Sequence, residues 1–117
     1  MALRVQTQVS GDVFLFLCDG RIAYGDECAV LRERVVNILL GTPKIVVNLK
    51  DVDYIDSGGL GMLVGLLISA KKRGGDVKVV SPNERVTEVL RHTDLDTIFR
   101  MYGNNEDAVA AFGKQVA

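Results

Sequence analysis

The stretch "YIDSGGLGML", Tyr54–Leu63, puts an acid, a serine and three glycines within six residues and then runs into apolar sequence. The segment before it, Ile45–Leu49 ("IVVNL"), is short, continuous and β-branched, which predicts a buried central strand. The segment after it, Ser57–Arg73, predicts a helix closed by Gly74-Gly75, and Val77–Val80 predicts the next strand. Together these make a strand-turn-helix-strand unit. Glycine inside a helix costs about 1 kcal/mol relative to alanine. The glycines behind Asp56 and Ser57 therefore need a physical reason.

Upstream, Val5–Val9 alternates and Val13–Cys18 is apolar and aromatic, with Ser10–Asp12 between them, which predicts a β-hairpin. Cys28, Leu31, Val35, Ile38 and Leu39 recur at helical spacing until Gly41 and Pro43 stop the pattern. Downstream, "SPNE" at Ser81–Glu84 reads as a capping box with proline at the first helical position. Val86, Val89 and Leu90 supply the apolar face of that helix. Leu95–Phe99 predicts a short strand or the turn into one, and Asn104 caps a last helix carrying Ala108, Val109, Ala111 and Phe112. The predicted order is β-β-α-β-α-β-α-β-α. It implies one α/β domain over residues 1–117, a mixed sheet of four or five strands flanked by about four helices.

Composition removes several classes of function. With 48% hydrophobic and 25% charged residues the chain has the profile of a soluble globule that folds without a metal or disulfide. Net charge is −1 and the basic residues are scattered, which argues against nucleic acid or an anionic membrane as partner. Lys71-Lys72-Arg73 falls at a helix end, where cations complement the dipole. Cys18 and Cys28 are two small apolar residues with no second pair to build a zinc site. "MALRVQTQVS" has no apolar core like that of a signal peptide, and Gly58–Ala70 is too short to span a bilayer. A cytoplasmic protein is expected.

Catalytic motifs fail one by one. The single histidine, His92, lies on the third predicted helix. Ile55 stands where a G-x-S-x-G nucleophile elbow needs glycine. Gly59, Gly61 and Gly65 are spaced one residue too long for G-x-G-x-x-G, and the following strand ends in Ser81 where a ribose-binding acid would stand. The Gly-Lys-Ser/Thr of a P-loop is missing. Asp53 and Asp56 are a weak candidate for Mg²⁺. No catalytic residue, cofactor or metal site is expected.

With Leu60 as the zero of a helical wheel, Leu63, Val64, Leu67 and Ile68 form one stripe expected to face the sheet. Gly58, Gly61, Met62, Gly65, Leu66 and Ser69 fall on the other side, which carries no charge before Lys72. A solvated helix face normally carries Lys, Glu or Gln. Either a second internal element covers this smooth face or another protein docks on it. Ser57 lies at the N-cap or in the first turn, where free N–H groups and the positive dipole end favour an anion. A phosphate on its hydroxyl would be well placed, because Gly58 and Gly59 leave their N–H groups unshielded.

The segments "LKDVDYIDSGGLGML" (Leu49–Leu63) and "KKRGGDVKVVSPNERVTEVLRHTDLDTIF" (Lys71–Phe99) resemble the STAS domain family, closest to its single-domain bacterial anti-sigma factor antagonists. The most specific part is D-S-x-G-L-G at Asp56–Gly61. The resemblance implies a mixed sheet with helices mainly to one side. It implies that Ser57 is a phosphoacceptor and that Asp56 shapes the loop or assists phosphoryl transfer. It also implies a non-enzymatic binding module whose partner is an anti-sigma factor serine kinase, with a phosphatase to restore the free serine. The unphosphorylated form would bind that kinase and free a sigma factor. Expected partner contacts are Asp56, Gly58, Gly59, Gly61, Met62, Leu66 and Arg21. Three positions depart from the family's pattern. "GRIA" at Gly20–Ala23 replaces G-E-x-D after the second strand, with Arg21 and Ala23 in the acidic places. Gly58 stands where Ser or Thr is common, and "TDL" at Thr93–Leu95 replaces T-G-L. Two alternatives stay open at this point. One is a scaffold subunit of a signalling or transporter complex with Ser57 never phosphorylated; the other is a small nucleotide-binding protein or enzyme.

Overall fold

The computed structural model describes residues 3–23, 25–39, 41–81 and 83–113. Strands β1 (Arg4–Ser10) and β2 (Val13–Ile22) form the expected antiparallel hairpin. Its two-residue turn begins at Gly11, whose φ of +61° suits glycine and matches the twist of the flanking strands. Helix α1 (Asp26–Leu39) leads to β3 (Lys44–Ile55), α2 (Ser57–Lys72), β4 (Asp76–Val80), α3 (Glu84–His92), β5 (Met101–Tyr102) and α4 (Asn105–Gly113). The sheet order is β1-β2-β3-β4-β5, and every neighbouring pair except β1–β2 is parallel. The element order predicted from periodicity is the one observed. Leu95–Thr97 is a 3₁₀ turn, and the strand follows it at Met101–Tyr102.

Both faces of the sheet are covered, unequally. Ile45 and Val47 point into the larger core with Leu31, Leu63 and Leu90, so α1, α2 and α3 share one face. Val46 points to the other face with Val13, Leu15, Val80, Ala108 and Phe112, which seats α4 there. The continuous apolar run of β3 is thus explained by burial on both sides. Cys18 lies in the larger core, and burial pushes its thiol up to about 12, so it stays protonated and inert. The side chains of Cys28 and Leu39, and Pro82 at the expected first helical position, lie outside the described residues.

Three sequence readings need correction. The central strand runs from Lys44 to Ile55, well past Leu49. Its pairing with β4 ends at Asn48↔Val80, but its pairing with β2 continues to Ile22↔Ile55 through two register shifts. The extension is polar on its exposed positions, which hid it from a hydrophobicity reading. The Gly20–Ile22 part of "GRIA" therefore belongs to β2 itself. The capping box at Ser81–Glu84 does not form. Asn83 is the N-cap of α3: its side chain accepts from the Arg85 N–H at 2.8 Å and donates to the Val52 carbonyl at 2.9 Å. This bond fixes α3 to β3, a tertiary contact that a local cap signal cannot express. Asn104 caps α4 as expected, its side chain accepting from the Asp107 N–H at 2.8 Å.

The T-D-L departure falls at a backbone position that suits glycine better than Asp. Asp94 sits at φ +59°, the left-handed region where glycine is free of strain and Asp is tolerated through its short polar side chain.

Candidate functional site

The site lies where the C-terminal ends of β2 and β3 meet the start of α2. Asp56, extended at φ −108°, is the N-cap of α2. Its carboxylate accepts from the Gly59 N–H at 2.9 Å, and its carbonyl accepts from the Leu60 N–H at 2.9 Å. Its own N–H donates to the Ile22 carbonyl at 3.4 Å, which ties the turn to β2. A cap of this kind is worth about 1 kcal/mol. Ser57 is therefore the first residue of the helix and not its cap. It is exposed, and its hydroxyl bonds to no other described residue. The cap satisfies the third and fourth N–H groups, leaving those of Ser57 and Gly58 directed at whatever approaches the helix end.

The glycines after Ser57 answer to two different demands. Gly59 is buried, and a Cβ there would be driven into the backbone carbonyl of Ile22 and lie 3.0 Å from side-chain carbons of Ile22 and Ile55. Helix α2 can approach β2 this closely only because residue 59 has no side chain. Gly61 and Gly65 face the opposite way, are exposed, and would place a Cβ in open space. Gly58 is half-buried beside them. Internal packing explains the first glycine and leaves Gly61 and Gly65 unexplained.

The expected partner contacts divide accordingly. Gly58, Gly61 and the half-buried Met62 reach the surface, but Gly59 does not. Leu66 is 2% exposed and belongs to the larger core, so it cannot be an outer contact. Ile68, expected to face the sheet, is 51% exposed. The buried arc is turned by about 70° from the one drawn around Leu60. Helix α2 lies against α1 as well as against the sheet, and the added sector takes in Leu66 and Ala70. The outward stripe is consequently Ser57, Gly61, Gly65 and Ile68, with Gly58 and Val64 half-buried at its margins.

Arg21 is brought to the same end of the molecule, opposite Tyr54 in the β2–β3 ladder. Its guanidinium stands 4.7 Å from the centre of the Tyr54 ring, a cation–π contact on an exposed surface. Tyr54 is 46% exposed, and no periodic pattern singled it out. Beside it a groove of about 370 Å³ opens between β3 and α3, lined by Asp53, Arg85 and His92 among others. Asp53 points to solvent on β3 while Asp56 is engaged in capping, so the two acids do not converge on a common ion. Among the described residues no group of three His, Cys, Asp or Glu could hold a metal, and no helix is long and apolar enough to cross a membrane.

A five-stranded mixed sheet with a capped, glycine-rich helix start at the end of its central strand defines a class. The chain belongs to the STAS domain family, whose model matches residues 4–108. Among its relatives is the Bacillus subtilis anti-sigma-B factor antagonist, 30% identical over 105 residues, 90% of this chain and 87% of that one. A Thermotoga neapolitana homolog of TM1081, provisionally named an anti-sigma factor antagonist, is 45% identical over 69 residues. That match spans 59% of this chain and 61% of the relative's length. Among solved structures, the unphosphorylated anti-sigma factor antagonist SpoIIAA superposes with a TM-score of 0.72 at 14% identity, covering 98% of this chain and all of that one, which shows the shared fold.

Proposed function

We propose that this protein is an anti-sigma factor antagonist, a non-enzymatic binding module switched by phosphorylation of Ser57. The observation that carries the reading is the exposed Ser57 hydroxyl at the first helical position, next to an intact Asp56 cap and an uncharged outward stripe. The relatives' names support the antagonist role. In the unphosphorylated state the stripe Ser57, Gly61, Gly65 and Ile68 docks on an anti-sigma factor serine kinase, with Gly58, Met62, Asp56, Arg21 and Tyr54 at its margin. The kinase transfers the γ-phosphoryl group of ATP to the Ser57 oxygen, the serine proton leaves, and ADP departs. A phosphatase restores the serine.

The electrostatics suffice for release. A phosphate adds about −1.5 to −2 charge. Facing a partner carboxylate at about 5 Å and an effective dielectric near 20, it is opposed by roughly 3 kcal/mol per unit charge. Half of that still weakens binding by about tenfold. The helix N-terminus meanwhile stabilises the anion by about 0.3–1 kcal/mol. Phosphorylation should therefore register in binding and hardly at all in melting temperature.

Peptide mass spectrometry of protein isolated from its native cells, set beside protein incubated with ATP alone, tests the switch. Phosphate on Ser57 in the native sample and none after ATP alone is the expected result. Phosphate elsewhere, or turnover of ATP without a partner, overturns it. Gly61→Arg, which has room at its own position, should abolish partner binding and leave the circular dichroism spectrum unchanged. Unfolding of that variant would mean that the stripe is internal.

A further inference from the structure

Among the described residues strand β1 is an edge of the sheet, paired only with β2. Apart from Val5, which is half-buried, all its residues are exposed, and Val9 is 62% exposed. Edge strands are normally guarded against further pairing by lysine, proline, a bulge or brevity. The segment Val5–Val9 has none of these: its ladder with β2 is unbroken and it holds no charge. It also reads Val-Gln-Thr-Gln-Val, the same in both directions. We propose that two copies of this chain pair antiparallel along β1, about a twofold axis at Thr7, joining their sheets into one.

The register follows from the palindrome. Thr7 faces Thr7 of the second copy, Val5 faces its Val9, and Gln6 faces its Gln8, so each side chain meets its own kind on the same face. The backbone parity agrees. The hairpin turn makes Ser10↔Val13 its closing pair, and alternation along an antiparallel ladder then turns the N–H and C=O groups of Val5, Thr7 and Val9 to the outer edge. The Arg34 guanidinium reaches the Val5 carbonyl at 3.0 Å, as an outward carbonyl allows, and that oxygen keeps a second lone pair for the second copy. Pairing would cover Val9, which stands opposite Phe14 in the hairpin, with the second copy's Val5.

Charge complementarity also favours a second copy as the occupant. Beside the end of β1 a groove of about 370 Å³ is lined by Ser10, Leu15, Glu106 and Val109 among others. In the proposed register Arg4 of the second copy lies opposite Ser10, which brings its guanidinium to the side of the groove that carries the exposed Glu106. The twofold repeats this contact. Among the described residues Arg4 is held at home by an exposed ion pair with Asp19 at 2.9 Å, which is weak enough to exchange. The edge shares no residue with Ser57 or the outward stripe of α2, so this association stands or falls independently of the switch.

Light scattering on size-exclusion fractions of the full chain tests the proposal. Unmodified protein loaded at up to about 1 mM, the weakest association of interest, should show twice the chain mass. A monomer there overturns the proposal. Thr7→Pro removes only an outward N–H, so it should yield a folded monomer, as should Val9→Lys. A dimer that survives both lies on another surface, which also overturns it. If Thr7→Pro fails to fold, the Gln6–Gln8 pairing decides. Gln6→Lys with Gln8→Glu should keep the dimer, because each lysine meets a glutamate across the axis. Gln6→Lys with Gln8→Lys should be monomeric at low salt. The reverse ranking, or no difference, overturns the register.

Discussion

Gly59 and Gly65 belong to the same helix, under two turns apart, and identical chemistry at the two positions has opposite consequences. At Gly59 the missing side chain lets α2 meet the Ile22 carbonyl, and the substitution cost of alanine lies in the backbone of another strand. At Gly65 a Cβ meets nothing, and the glycine only weakens the helix. The inner glycine is retained by the fold. The outer one lies with Gly61 and Ile68 on an exposed surface that internal packing does not explain. In the proposed function, helix α2 carries structure on one sector of its cylinder and docking on the other.

Substitutions at four positions would break or sharpen that contrast. Leu66→Ala, on the inner sector, should have the largest effect, a loss of about 2–5 kcal/mol in denaturant unfolding from burial and cavity terms. An effect below about 0.5 kcal/mol, typical of surface positions, would return Leu66 to the outer face. Gly59→Ala comes next, with a loss of about 2–3 kcal/mol, because the obstructing atom is backbone and cannot rotate away. Asp56→Ala should cost about 0.5–2 kcal/mol through the lost cap, while Asp56→Asn keeps most of it. Gly65→Ala is the smallest and has the other sign, a gain of up to about 1 kcal/mol in the same assay. If Gly59→Ala also stabilised the protein, the close approach of α2 to β2 would be wrong and the contrast would dissolve.

Much of the site was legible because its determinants are local. A helix start is written within four residues, by a capping side chain, unsatisfied N–H groups and the onset of apolar periodicity. Hence the Asp56–Ser57 turn, the hairpin at Gly11–Asp12 and the Asn104 cap could all be read directly. At Ser57 the sequence left the N-cap and the first turn both open, since Asp56 and Ser57 are both good caps and only the backbone shows which one is extended. At α3 the assignment slipped by two, because Asn83 is chosen over Ser81 by its bond to Val52 on a distant strand.

The sequence by itself determined the order of the elements, the α/β class and the placement of a serine at the head of the central helix. Each of these depends on neighbours along the chain. Only the tertiary structure decided which glycines are structural, that Leu66 is inside and Ile68 outside, and that β3 runs on to Ile55. Those outcomes depend on what packs from across the fold: α1 on the flank of α2, the Ile22 carbonyl under Gly59, and β2 beside the polar half of β3. A helical wheel drawn from one segment has no knowledge of how many neighbours cover it. That number sets the width and direction of the buried arc.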